Sequence, residues 1–162
     1  MRNHRTNCLR SMCGAAALVL LLATIGAADI RLPAVVGDNM VLQNGGKVTL
    51  WGWADPGEEV AIRMSWQTAQ PRVTAGQDGK WTLTVKAPKA GGPYEMTLTG
   101  KNTITLKHIL CGEVWVCSGQ SNMEWPVAAS ASAQQEVAAA NYPKIRLFTV
   151  QKAIANTPQA DC

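Results

Sequence analysis

Ser121 is the residue of this chain whose surroundings best fit nucleophilic chemistry. It lies in the run Val114-Trp115-Val116-Cys117-Ser118-Gly119-Gln120-Ser121-Asn122-Met123. A serine between a buried strand and a helix lies at the carboxyl end of that strand, where open α/β sheets bind their ligands. Gly119 permits a tight turn there, and free backbone N–H groups near the helix start can stabilise an oxyanion. On spacing alone, a helix-capping serine is an equal alternative, because the lipase-type elbow needs glycine where this chain has Asn122.

The elements on either side of this serine are predicted from their composition. Val114 to Cys117 is continuously apolar, which is typical of a strand buried on both faces. Ala128 to Ala140 is free of Gly and Pro and is followed by Asn141 and Pro143, so it predicts a helix. Ile145 to Val150 predicts another strand. This order favours a right-handed parallel strand-helix-strand unit, the start of an α/β sheet.

The preceding region, from Asp29 to Leu110, alternates larger side chains with polar or small residues in short segments. The alternating segments are Val41, Val48–Leu50–Gly52, Val60–Ile62–Met64, Trp81–Leu83–Val85 and Tyr94–Met96–Leu98, with Ile104–Leu106 and Ile109–Leu110 continuing as strand. Turn residues separate them at Asn44-Gly45-Gly46, Asp55-Pro56-Gly57, Gln77-Asp78-Gly79 and Ala90-Gly91-Gly92-Pro93. Short strands at this spacing predict an antiparallel β-sandwich.

Four tryptophans of this region have two possible roles. Trp51, Trp53, Trp66 and Trp81 can fill the core of a small sandwich or form a platform on which sugar rings stack. Trp51 and Trp53 are two positions apart, so they share a face under either interpretation. We favour the core role, because a small sandwich needs large apolar side chains.

The first 28 residues are typical of an export signal. Arg2, Arg5 and Arg10 precede an apolar stretch from Ala15 to Ile25, and small residues follow it. About 11 apolar residues are too few to span a bilayer, which needs roughly 20. We therefore expect a secreted or periplasmic protein with no stable membrane insertion after cleavage. The predicted domains are the signal at 1–28, the β-sandwich at 29–108 and the incomplete start of an α/β domain at 109–162.

The charge and the cysteines of the mature chain limit its partners. The remaining 12 Lys and Arg face 11 Asp and Glu, so the formal charge is +1 and nucleic acid is excluded as a partner. Cys111 and Cys117 would lie roughly 20 Å apart on a continuous strand, beyond disulfide reach. We expect both to be buried apolar residues, and Cys162 has no local partner. The oligomeric state does not follow from the sequence.

Several blocks of the sequence resemble the sialate O-acetylesterase family, a branch of the SGNH (GDSL-like) hydrolases. The most specific block is Gly112-Glu113-Val114-Trp115-Val116-Cys117-Ser118-Gly119-Gln120-Ser121-Asn122-Met123-Glu124-Trp125-Pro126. Others are Leu32-Pro33, Asp38-Asn39-Met40-Val41-Leu42-Gln43, Trp51-Gly52-Trp53-Ala54-Asp55-Pro56-Gly57, Asp78-Gly79-Lys80-Trp81, Ala138-Ala139-Ala140-Asn141-Tyr142-Pro143 and Ile145-Arg146-Leu147-Phe148. The resemblance covers essentially the whole mature chain.

The resemblance implies a fold and a reaction. The fold is mixed: a β-sandwich followed by the truncated start of an SGNH-type, flavodoxin-like α/β hydrolase domain. The reaction is hydrolysis of an O-acetyl group on sialic acid or a related sugar, without metal or organic cofactor. Ser121 is the implied nucleophile, and its own backbone N–H is an oxyanion donor. Gln120 stands where the wider superfamily has Asp, and a substrate-positioning role is implied for it.

The rest of the family's machinery has no counterpart here. The family takes its catalytic His, with an Asp three residues earlier, from the far C-terminal part of its hydrolase domain. His108 is the one histidine after the signal, it precedes Ser121, and position 105 is Thr. We therefore expect a fragment of an esterase that is inactive by itself, because a serine without a base is a poor nucleophile.

Two other functions remain open. One is a secreted carbohydrate-binding sandwich without catalysis, and the other is an acetylxylan-type polysaccharide esterase with the same nucleophile block. Glu113 and Glu124 flank the block and resemble the carboxylate pair of a glycosidase, but we expect solvated or capping roles for both.

Overall fold

Seven strands make up most of the folded part of the protein. The computed structural model describes residues 29–162, so the predicted export signal at 1–28 lies outside the described residues. The strands are β1 (Val41–Gln43), β2 (Lys47–Trp53), β3 (Glu59–Met64), β4 (Arg72–Thr74), β5 (Lys80–Lys86), β6 (Gly91–Thr99) and β7 (Thr103–Gly112). All predicted alternating segments lie within these strands. Strand β4 was not predicted, because three residues show too little alternation to be recognised.

The strands form two sheets. A five-stranded sheet has the order β1-β7-β6-β3-β4, and β2 pairs with β5 in a two-stranded sheet. The pairs within the larger sheet are antiparallel except that β1 runs parallel to β7. The prediction of a purely antiparallel arrangement is therefore wrong at this edge. Parallel pairing is possible because most of the domain lies between β1 and β7 in sequence, which leaves ample chain for the crossover.

Both sheets contribute to one hydrophobic core. Leu50, Trp81 and Val85 from the two-stranded sheet belong to the same buried cluster as Ile62 and Leu98 from the larger sheet. The alternating sequence of the strands explains this shared core, because every second side chain of a strand points to the same side of its sheet.

The tryptophans divide between core and surface. Trp81 is only 2% exposed, and it lies opposite Gly52, where a Cβ would come within 2.7 Å of the indole. Trp51 is 36% exposed, so the core role predicted for it is wrong, whereas that of Trp81 is confirmed. Trp53 and Trp66 are half-buried. The strand register explains why Trp81 is buried and Trp51 is exposed, because the two residues lie on opposite faces of the two-stranded sheet.

Strand β7 continues through positions 108 and 109, where the sequence predicts a domain division. His108 adopts a φ of 57°, and the pairing of β6 with β7 shifts register around it. Such a bulge lets the strand continue with one unpaired residue. Ile109 and Cys111, beyond the bulge, lie in the same hydrophobic core as the earlier strands.

The chain after Gly112 is extended and exposed, with little regular structure. It contains two 3-10 helices, Ser121–Glu124 and Val127–Ala129, and one helix, α1 (Ala133–Ala139). The longer helix predicted over 128–140 is therefore wrong in its first turns. The strands predicted at Val114 to Cys117 and Ile145 to Val150 are absent from the described residues, and Trp115 and Val116 are 83% and 92% exposed. An apolar run forms a strand only where neighbouring strands satisfy its backbone, and none lies beside it among residues 29–162.

Candidate functional site

Ser121 is the first residue of the 3-10 helix Ser121–Glu124. Gln120 is its N-cap, with extended backbone angles and no side-chain capping bond, and its carbonyl accepts from the N–H of Met123 at 2.9 Å. The helix-capping role considered for Ser121 is therefore wrong, because Ser121 lies inside the helix. In the described part of the chain, neither its hydroxyl nor its backbone N–H makes a hydrogen bond. Ser121 is exposed, so both groups are available to a ligand.

Gly119 and Met123 pack closely in the turn that leads to Ser121. A Cβ at position 119 would lie 2.5 Å from Cγ of Met123, which is shorter than any ordinary contact. The Met123 side chain therefore folds back over the backbone of the turn. A larger residue at position 119 would have to displace the Met123 side chain, so glycine permits this close packing.

The segment that carries Ser121 is attached to the edge strand β1. Gln43 Nε2 donates to Glu113 Oε2 at 3.0 Å, and Asn44 Nδ2 donates to Glu113 Oε1 at 2.7 Å. Gln43 Oε1 accepts from the N–H of Val114 at 2.9 Å, and the N–H of Asn44 donates to the Gly112 carbonyl. We call these four residues, Gln43, Asn44, Glu113 and Val114, the junction. It fixes the direction in which the chain leaves the sheet, seven residues before Ser121.

The junction was missed by the sequence analysis. Gln43 and Asn44 are polar residues at the end of a short strand, which is typical of an ordinary turn. Only the presence of Gln43 in one of the blocks that resemble the family could have drawn attention to it. The pairing of Gln43 with Gly112 across the parallel strands brings distant residues together, and a single sequence does not reveal such pairing.

Glu113 and Glu124 have separate partners. The amide donors of Gln43 and, next, Asn44 lower the pKa of the exposed Glu113 carboxyl. Glu124 forms an ion pair with Lys152. Each acid thus has a surface role, as expected from the sequence, and nothing joins the two as a catalytic pair.

The remaining chemistry-bearing residues do not gather around Ser121. His108 is exposed on the bulge of β7 and makes no hydrogen bond with Ser121. Cys111 is buried, as predicted, and burial raises the pKa of its thiol. Cys117 is exposed, so its predicted burial is wrong, and the cause is the unpaired run around it. Among residues 29–162, no group of three His, Cys, Asp or Glu could hold a metal ion. No helix in that range is long and apolar enough to cross a membrane.

Comparison with solved structures indicates which class of protein this chain resembles. A carbohydrate acetylesterase from Xanthomonas citri shares 35% sequence identity and a TM-score of 0.76, over 82% of this chain and 30% of that one. The 112 residues up to Gly112 are a smaller part of the 162-residue chain than the 82% that this match covers. The likeness therefore extends into the exposed segment after Gly112. No family model matches the sequence. The class of protein that these observations define is the acetylesterase-type hydrolases.

Curated relatives narrow the class to a family. The chain is 33% identical to a sialate O-acetylesterase of Rattus norvegicus, over 89% of this chain and 29% of the relative. It is 32% identical to one of Homo sapiens, over 82% of this chain and 28% of the relative. The chain therefore belongs to the sialate O-acetylesterase-type family. It spans less than a third of the length of these relatives.

Proposed function

We propose that this chain contributes the nucleophile to a carbohydrate esterase that removes O-acetyl groups from sialic acid or a related sugar. The observation that carries this proposal is Ser121 itself, a hydroxyl without a hydrogen-bond partner in the described chain, at the start of a short helix in a family of acetylesterases. Acetylxylan-type activity on a polysaccharide is the alternative that uses the same serine.

The reaction proceeds through an acetyl-enzyme. Ser121 Oγ attacks the acetyl carbonyl while a base takes the hydroxyl proton, and the backbone N–H of Ser121 faces the developing oxyanion. The sugar hydroxyl then leaves with a proton, and water hydrolyses the acetyl group from Ser121. We place Gln120 beside the substrate, because it immediately precedes Ser121 and its side chain has no partner among the described residues.

No base for Ser121 is found among residues 29–162. His108 makes no hydrogen bond with Ser121, and that range contains no other histidine. A serine esterase without its base loses several orders of magnitude in rate. We therefore expect the 162-residue chain to have negligible turnover by itself.

We also propose a division of the chain into two parts. The residues before Gly112 would form a β-sandwich, and those after it would begin an SGNH-type α/β hydrolase domain. The abrupt rise in exposure after Gly112 supports this division, and we propose a boundary there, a few residues after the 108/109 boundary predicted from the sequence. Residues 1–28 would direct export to the periplasm or the exterior.

A chimera tests the proposed function. Residues 29–162 replace the matching part of the Xanthomonas citri carbohydrate acetylesterase, and acetate release from an acetylated sugar is measured. We expect turnover that Ser121→Ala lowers by at least about 10³-fold, with Ser118→Ala as the matched control. Equal turnover of the Ser121→Ala and Ser118→Ala chimeras would contradict the proposal.

A further inference from the structure

The outward face of the two-stranded sheet carries a set of residues that the esterase reaction does not use. Register places four rows on this face, Lys47 with Lys86, Thr49 with Thr84, Trp51 with Thr82 and Trp53 with Lys80. All are exposed except Trp53, which is half-buried. We call these eight residues the β2–β5 face. None of them is acidic, so the face combines three cations, three hydroxyls and two indoles.

Lys47 and Lys86 lie directly opposite each other. Like charges in that position destabilise a sheet. Neither lysine forms an ion pair with any acid among residues 29–162. Both lysines are among the residues that line a depression of about 490 Å³, together with Gly45, Gly46, Thr84 and Val85. An anion seated there would relieve the repulsion, and Thr84 would offer it a hydroxyl donor.

Two acids interact with cations at or beside other parts of this face. Asp78 Oδ2 is 3.9 Å from Lys80 Nζ, and Asp161 interacts electrostatically with Arg31. Arg31 in turn covers the Trp53 ring, with its guanidinium carbon 4.0 Å from the ring centroid. Trp53 is therefore not free to stack on a ligand. The uncompensated positive charge is concentrated at Lys47 and Lys86.

Trp51 is the free aromatic surface of this face. It lies two rows from the lysine pair, roughly 13 Å away at ~3.3 Å per residue along the strand. Exposed indoles commonly contact ligands that are apolar on one side and polar on the other, as a sugar ring is. The threonine row between indole and lysines adds hydroxyl groups. This spacing fits a chain of several sugar units and exceeds a single one.

We propose that the β2–β5 face binds a carboxylate-bearing glycan chain, with a carboxylate between Lys47 and Lys86 and a sugar ring on Trp51. The proposal does not depend on Ser121 or on catalysis. Nucleic acid fits less well, because tracking phosphates needs many cations and the mature chain has a net charge of only +1.

Binding of the chain to polygalacturonate, measured by titration calorimetry, tests this site. The same polymer with its carboxyls methyl-esterified is the matched probe, and oligothymidylate tests for binding of any polyanion. We expect Lys47→Gln/Lys86→Gln to weaken binding of polygalacturonate about tenfold, and Trp51→Thr to do so about fivefold. Arg63→Gln/Lys107→Gln, which removes two charges from the other sheet, should change affinity less than about twofold.

A second readout separates binding from folding. The double lysine variant should melt at or above the temperature of the unmodified chain, because it removes a like-charge pair. Polygalacturonate should raise the melting temperature of the unmodified chain but not of that variant. The proposal is overturned by absence of binding, by equal affinity for the esterified polymer or oligothymidylate, or by self-association that the same substitutions abolish.

Discussion

At the scale of single residues, Ser121 and Gly119 show what a motif specifies. The Gly-x-Ser spacing predicted a tight turn before a helix; Ser121 begins a four-residue 3-10 helix, and the Met123 side chain packs against Gly119. The motif did not reveal the helix type or the free hydroxyl, because those depend on backbone angles outside the motif. The chemistry of the site is thus predictable from residue types, whereas its geometry is not.

Gly119→Ala tests whether close packing shapes the turn. The new Cβ must displace Met123, so we expect the Met123 methyl resonance and the Ser121 amide resonance to shift in NMR spectra. The melting temperature should change by less than about 2 °C, because the turn is exposed and outside the core. Gly37→Ala is the control, since its Cβ would meet nothing within 4 Å. Unchanged resonances in Gly119→Ala would show that the turn is not held in this way.

Trp81 and Trp51 provide a matched pair for the core. Trp81→Ala should lower the free energy of unfolding by about 3–5 kcal/mol, because it empties a fully buried site. Trp51→Ala should lower it by no more than about 1 kcal/mol, since that indole faces solvent. Urea denaturation followed by circular dichroism measures both. Similar losses in the two variants would mean that the assignment of faces is wrong.

At the scale of elements, alternation predicted β-strands well and apolar continuity predicted them poorly. Strands β2, β3, β5 and β6 alternate apolar and polar side chains. One face of such a strand packs in the core and the other faces solvent, so no further layer is needed to cover it. The run from Val114 to Cys117 has no alternation and needs neighbours on both edges and both faces. Whether this run forms a strand therefore depends on the presence of a larger sheet, and the sequence of the run alone does not determine it.

The junction should respond to acid. Gln43 and Asn44 hold the pKa of Glu113 below its usual value, so the carboxylate contributes stability above its unfolded pKa of about 4.3. That contribution is lost as the pH falls through the lower folded pKa. We expect the side-chain amide resonances of Gln43 and Asn44 to titrate with a midpoint below about 4.3 in NMR spectra. Glu113→Gln should abolish this titration, and Glu136→Gln should leave it unchanged. A midpoint at or above the ordinary value would show that the junction does not form.

The exposed segment should be the first part of the chain to be cut by protease. Lys144, Arg146 and Lys152 lie beyond the sheets on exposed backbone, whereas Arg72 lies in β4, paired with β3, and Lys101 lies in the short connection between β6 and β7. Brief trypsin digestion followed by mass spectrometry should therefore show cleavage at the former sites first. Early cleavage at Arg72 would indicate that β4 is not stably paired.

At the scale of the whole molecule, the chain combines a folded β region with an exposed segment that carries its reactive residue. The hydrophobic core uses residues between Ile30 and Cys111, and large apolar side chains after Gly112 are exposed. The family likeness nevertheless extends into that segment, at less than a third of the relatives' length. The resemblance of its sequence blocks sufficed to predict the family. The absence of strands after Gly112 in the described chain did not follow from the sequence.

The central claim is that Ser121 is the nucleophile, and covalent labelling tests it most directly. The chimera with the Xanthomonas citri enzyme is treated with a fluorophosphonate, digested and analysed by mass spectrometry. We predict one phosphonate adduct, located on Ser121, with loss of esterase activity in proportion to labelling. An adduct on Ser118, Ser130 or any other residue, with Ser121 unmodified and activity lost, would contradict the account.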